Sequence, residues 1–128
     1  MEKRVAIVTG GTRGMGRAIS VGLASAGNIV CAVYRANEAE AAATETEILR
    51  LSEGSFAMKA DLSREEDARR VADEVVGRFG RVDILVNNAG IFDFCFFEDM
   101  TDEYFDRVMN VNLKSALHMV RACLPSMK

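Results

Sequence analysis

Four glycines fall within the eight residues Thr9 to Gly16, TGGTRGMG, directly after the apolar run Val5-Ala6-Ile7-Val8. A strand ending at Val8, a tight turn and a helix beginning near Gly14 would aim several unpaired backbone N–H groups at one point. The helix dipole adds roughly half a positive charge there. The chemistry such a point serves is holding a phosphate. Side chains at Gly10, Gly11, Gly14 and Gly16 would block the close approach of a pyrophosphate, and positive φ at some of these positions suits glycine. A strand-to-helix turn with no ligand seldom needs all four. No Gly-Lys-Ser/Thr follows, which disfavours a nucleoside-triphosphate loop, and the third position of G-x-G-x-x-G falls on Ile19.

The elements that would position this loop alternate along the chain. Apolar runs at Val5–Val8, Ile29–Tyr34, Phe56–Ala60 and Val82–Val86 are too short for ordinary helices and apolar on both faces, as buried parallel strands are. Helical stretches lie between them. The first carries Ile19 and Leu23, and the second closes on Ile48 and Leu49. The third has Ala68, Val71, Ala72, Val75 and Phe79 at helical spacing, with Ser63 and Glu66 as an expected capping box. Gly27, Gly54 and Gly80 each follow a helical stretch, where a left-handed cap suits glycine. The pattern predicts a Rossmann-like α/β fold: a doubly wound parallel sheet of four strands in one domain over 1–128, in spatial order 3-2-1-4 under the right-handed crossover rule. After Asn87-Asn88-Ala89-Gly90, a long helical region with Thr101 as N-cap carries Phe105, Val108, Met109, Leu113, Leu117, Val120 and Leu124 on a broad apolar face. A core helix and a subunit interface both fit that width.

Composition narrows the function classes. At 128 residues, 49% hydrophobic and 27% charged, the chain has the balance of a globular protein with a core, and a net charge of −3 without a Lys/Arg cluster points to no nucleic acid and no membrane surface. Cys31, Cys95 and Cys123 are widely spaced, with His118 the lone histidine, which predicts reduced thiols, no metal site and a cytoplasmic location.

The pattern T-G-x-x-x-G-x-G, filled by Thr9, Gly10, Gly14 and Gly16, resembles the short-chain dehydrogenase/reductase family in its single-domain form. Asp61 after the third strand, Asn87-Asn88-Ala89-Gly90 after the fourth and Asn112 within Val111-Asn112-Leu113 follow in the family's order. The resemblance covers the whole chain and is nearest the 3-oxoacyl-carrier-protein reductase and glucose dehydrogenase branches. It implies that Gly10, Thr12, Arg13, Gly14, Met15 and Gly16 hold a cofactor pyrophosphate. It also implies that Asp61, with Leu62, binds the adenine edge, and that Asn88, Ala89 and Gly90 border the adenine ribose.

Charge at the end of the second strand bears on cofactor choice. An NAD site usually places Asp or Glu there for the ribose 2′-OH, whereas a 2′-phosphate needs cations. Here the chain runs Val33-Tyr34-Arg35-Ala36-Asn37, and Arg35, with Arg13 in the loop, predicts NADP(H), with NAD(H) as the alternative. The family resemblance implies hydride transfer to or from a small-molecule carbonyl or alcohol, a 3-oxoacyl thioester among them. A Ser, a Tyr and a Lys four residues after that Tyr manage the proton. Neither Tyr34 nor Tyr104 has Lys at that spacing, so Asn112 is the sole member of the catalytic set expected here, acting through its backbone on a proton-relay water. The chain is therefore expected to be the N-terminal half of a longer, homo-oligomeric reductase, inactive by itself. A nucleotide-binding module without turnover and a non-enzymatic assembly partner are the competing readings. The phenylalanine-rich stretch Ile91 to Phe97 is expected to pack under its loop and against another subunit rather than line a substrate pocket.

Overall fold

The computed structural model describes residues 3–91 and 95–128. Phe92 and Phe94, half of the phenylalanines in the stretch after Gly90, lie outside the described residues. Strands β1 (Val5–Thr9), β2 (Ile29–Tyr34), β3 (Phe56–Lys59) and β4 (Ile84–Val86) form one parallel sheet in the order β3-β2-β1-β4. Register is set by Val5 opposite Ile29, Cys31 opposite Phe56 and Ala6 opposite Ile84. Helices α1 (Gly14–Ser25), α2 (Glu38–Leu51) and α3 (Glu65–Phe79) make the crossovers. The strand order predicted from the alternation is the one observed.

Because successive strand residues face opposite ways, the sheet feeds two cores. Val8, Val30 and Ala32 pack with Ala24 of α1 and Ile48 of α2 on one face. Val5, Ile7, Cys31, Val33 and Phe56 pack on the other with Ala68, Val71, Ala72 and Val75 of α3. This second core also takes Met119 and Cys123 from the C-terminal helix, and burial in it pushes the Cys31 thiol up to about 12. Both faces of the central strands are apolar because both are covered.

After β4 a short 3₁₀ turn (Phe97–Asp99) leads to α4 (Asp102–Met109), a π turn (Asn110–Lys114) and α5 (Ser115–Met127). Thr101 caps α4 as expected, its hydroxyl accepting from Tyr104 N–H at 3.1 Å. The expected capping box at Ser63 and Glu66 does not form. Arg64 is the N-cap residue of α3, Ser63 turns its hydroxyl to Asp61 at 2.6 Å, and Glu66 faces Arg64. The apolar stripe through Phe105, Val108, Met109, Leu113, Leu117, Val120 and Leu124 is not buried by this chain: all but the partly buried Val108 are exposed, Leu113 to 58%. α5 docks instead through Ser115, His118, Met119 and Cys123. A core role for the broad face is thereby ruled out within the described residues.

Candidate functional site

The carboxyl ends of β1, β2 and β3 and the turn after β4 open onto a cleft of about 580 Å³. Its walls hold Gly10, Thr12, Arg13 and Gly14 from the glycine loop, Arg35 after β2, Asp61 and Leu62 after β3, and Asn88, Ala89 and Gly90 after β4. Of the residues expected around a cofactor, the fold thus brings ten to one surface. Met15 is exposed on α1 and Gly16 is buried beneath the loop, so neither lines the cleft.

Backbone geometry explains the glycines. Gly10 and Gly14 have φ of +59° and +55°. A Cβ on Gly16 would lie 1.8 Å from the Gly10 carbonyl oxygen and 2.5 Å from Asn88 Nδ2, so Gly16 lets α1 start directly against the turn that precedes it. Arg13, the N-cap residue, offers no side-chain bond to the helix, and the first turn of α1 contains no acidic residue. The positive end of that helix therefore faces the cleft without an internal anion.

Thr9 is the unpredicted hub of the site. Its side chain is buried, and its hydroxyl accepts from Asn88 N–H at 3.0 Å and Ala89 N–H at 2.9 Å. Asn88 Nδ2 donates to the Gly10 carbonyl at 3.1 Å, so the glycine loop and the Asn-Asn-Ala-Gly turn form one hydrogen-bonded unit. Thr9 was visible in the sequence as part of the glycine motif, but an 80-residue separation hid its partners.

Asp61 sits in a turn of its own making. Its carboxylate accepts from Ser63 O–H and N–H, and these bonds, with lesser help from the Arg35 and Arg64 charges and against partial burial, hold it below the ordinary Asp value. It stays ionised at neutral pH and can accept a hydrogen bond from an amino group. Tyr34 lines the same cleft but donates its hydroxyl to Glu38 at 2.9 Å, a bond that raises the phenol and makes it a poorer acid.

Asn112 lies in the π turn, outside the cleft lining. Its side chain exchanges two bonds with Ile91, accepting from the N–H at 2.6 Å and donating to the carbonyl at 3.0 Å. It thus ties the helix to the loop leaving β4, much as a neighbouring strand would. π turns of this kind recur at functional sites. Among the described residues no cluster of three or more metal-ligating side chains occurs, and no helix is long and apolar enough to cross a membrane.

A parallel sheet whose first strand runs through a glycine turn onto a helix with no side-chain cap defines a Rossmann-like α/β architecture. The chain matches the short chain dehydrogenase family over residues 4–128, and it belongs to that family. It is 39% identical over 121 residues to the short-chain dehydrogenase/reductase FrzI of a Cladobotryum species, covering 94% of this chain and 47% of that protein. It is 36% identical over 122 residues to the 3-oxoacyl-[acyl-carrier-protein] reductase FabG of Staphylococcus epidermidis, with 95% and 50% covered. A Serratia marcescens short-chain dehydrogenase/reductase variant superposes with a TM-score of 0.91 at 33% identity, over 98% of this chain and 51% of that one. An NADH-dependent reductase solved as its complex with NAD gives 0.88 at 28%, over 98% and 52%. The chain spans about half the length of the relatives it matches.

Proposed function

We propose that this chain is the cofactor-binding half of an NADP(H)-dependent oxidoreductase that reduces a small-molecule carbonyl or oxidises an alcohol, a 3-oxoacyl thioester being the first substrate class to test. The observation that carries the cofactor choice is that Arg13 and Arg35 both line the cleft, with Ala36 and Asn37 rather than an acid following Arg35. Glu38 is engaged by Tyr34 O–H and by Lys59 at 2.7 Å. Glu40 approaches Arg13 only at 3.7 Å with both side chains partly exposed, an ion pair of little strength that a 2′-phosphate can displace.

The bound dinucleotide would supply the hydride. Gly10, Thr12 and the start of α1 hold its pyrophosphate with backbone dipoles, for which the room left by the absent Gly14 side chain is suited: a Cβ there meets no atom within 4 Å. Asp61 accepts from the purine amino group, beside Leu62. Asn88, Ala89 and Gly90, fixed by Thr9, border the ribose. Asn112 holds the π turn against Ile91, and its backbone serves the proton relay. Tyr-x-x-x-Lys is not among these 128 residues, so the chain alone binds cofactor and does not turn over. The whole protein is a cytoplasmic homo-oligomer on this reading, and the exposed apolar face of α4 and α5 supports self-association.

Paired titrations with NADPH and NADH test the assignment. The wild-type chain is expected to bind NADPH about tenfold more tightly, and Arg35→Ala to bring the two affinities together by removing a charge-assisted contact. Equal affinities in the wild type, or an unchanged ratio in Arg35→Ala, would overturn it.

A further inference from the structure

We infer that His118, in α5, is a positioning residue for the purine end of the cleft, an inference that rests on the dinucleotide-binding reading above. The backbone that carries Asp61 and Leu62 leaves the sheet at Lys59, and its last bond to a strand is from Ala60 N–H to the Tyr34 carbonyl at 2.9 Å. Beyond that point side chains hold it together with one backbone bond, from Arg64 N–H to the Asp61 carbonyl at 3.1 Å. Asp67 accepts from Asp61 N–H at 2.7 Å, and Asp61 accepts from Ser63 N–H at 3.1 Å. The Ser63 bonds are internal to the turn, and the Asp67 bond ties its start, Asp61, to the first turn of α3.

The bond at Leu62 reaches a different element. His118 Nδ1 lies 2.9 Å from the Leu62 carbonyl across a separation of 56 residues, and both residues are more than nine-tenths buried. A carbonyl oxygen only accepts, so Nδ1 carries the hydrogen whether the ring is neutral or charged. The helix that presents His118 is itself fixed. Met119 and Cys123 are buried in the core, and Ser126 Oγ accepts from Val82 N–H at 3.0 Å near the other end. His118 therefore references the purine-binding turn to a rigid element on the same face of the sheet. Removing its N–H leaves the buried Leu62 carbonyl without this partner and lets the turn relax, while the glycine loop, held by Thr9 and Asn88, is untouched.

Asparagine and glutamine separate this role from simple packing, because the Asn amide nitrogen falls near the place of Nδ1 whereas the Gln amide reaches past it. Binding of 2′,5′-ADP, which carries the purine, is measured against binding of inorganic pyrophosphate, which engages only the glycine loop. His118→Asn is expected to stay within about twofold of wild type for both probes, and His118→Gln and His118→Leu to weaken 2′,5′-ADP about fivefold while leaving pyrophosphate unchanged. Should the leucine variant fail to fold, the Asn and Gln pair carries the comparison. Equal weakening by Asn and Gln, equal loss for both probes, or no loss in any variant would overturn the role of His118. A wild-type chain that binds neither 2′,5′-ADP nor NADPH would instead sink the dinucleotide reading, and this inference with it.

Discussion

The glycine-loop side of the molecule and the α4–α5 side handle apolar and polar surface in opposite ways. Around the loop the buried polar groups are satisfied internally: Thr9, Asn88 and the Gly10 carbonyl bond one another, and β1 is buried along its whole length. Along α4 and α5 the inner face is equally well engaged, with Met119 and Cys123 in the core and His118 on Leu62, yet the outer face leaves Phe105, Leu113 and Leu117 about half exposed. The difference separates two kinds of demand. A binding loop of the kind proposed has to exist before its ligand arrives, and here long-range bonds from Thr9 and Asn88 fix its geometry. The apolar outer face of α4 and α5 has no such internal closure among the described residues.

Breaking the closed region should have the largest effect. Gly16→Ala drives a methyl into the Gly10 carbonyl, and moving the loop to relieve it disrupts the Asn88 bond as well. A loss of about 3 kcal/mol in unfolding free energy is expected, together with loss of NADPH binding, measured by denaturant titration and calorimetry.

Asp61→Asn should act more gently, and its signature is in pH. The Asp61 carboxyl is held below its ordinary value by Ser63, so its contribution to stability is complete above that ordinary value and is lost as pH falls through the lower native one. The stability difference between wild type and Asp61→Asn should therefore shrink on acidification from about pH 5 to about pH 2, followed by thermal melting. A difference that grows on acidification would mean that the carboxylate is not stabilised in the native turn.

The smallest effect on the chain itself is expected on the open side. Leu117 is about half exposed on α5, so Leu117→Glu places its charge in solvent and monomer stability should change by about 0.5 kcal/mol. Sedimentation of the whole protein should nonetheless show weakened self-association. An equally self-associated variant would separate the apolar face from assembly.

How far the sequence carried these conclusions varied from place to place. The four strands, their order and the glycine turn were legible, because short apolar runs, helical spacing and glycine at positive-φ positions are local signals. The start of the third helix differs from its sequence pattern for a local reason too: Ser63 has two acceptable partners within a few residues, and Asp61 wins over the helix terminus. The broad face of the last helical region was also unreadable, since apolar spacing reports that a face will be covered and not by what. The side-chain role of Asn112 was missed because its partner, Ile91, is 21 residues away.

By itself, the sequence determined the alternation of strand and helix, the backbone freedom at Gly10, Gly14 and Gly16, and the absence of an acid directly after Arg35, since each depends on residue type and near-neighbour spacing. Only the tertiary structure decided that Thr9 joins two turns, that His118 reaches Leu62 and that the apolar face of α4 and α5 stays open. Those outcomes are set by which distant groups the crossovers bring within hydrogen-bond reach, and by how much apolar surface remains once the sheet has been covered.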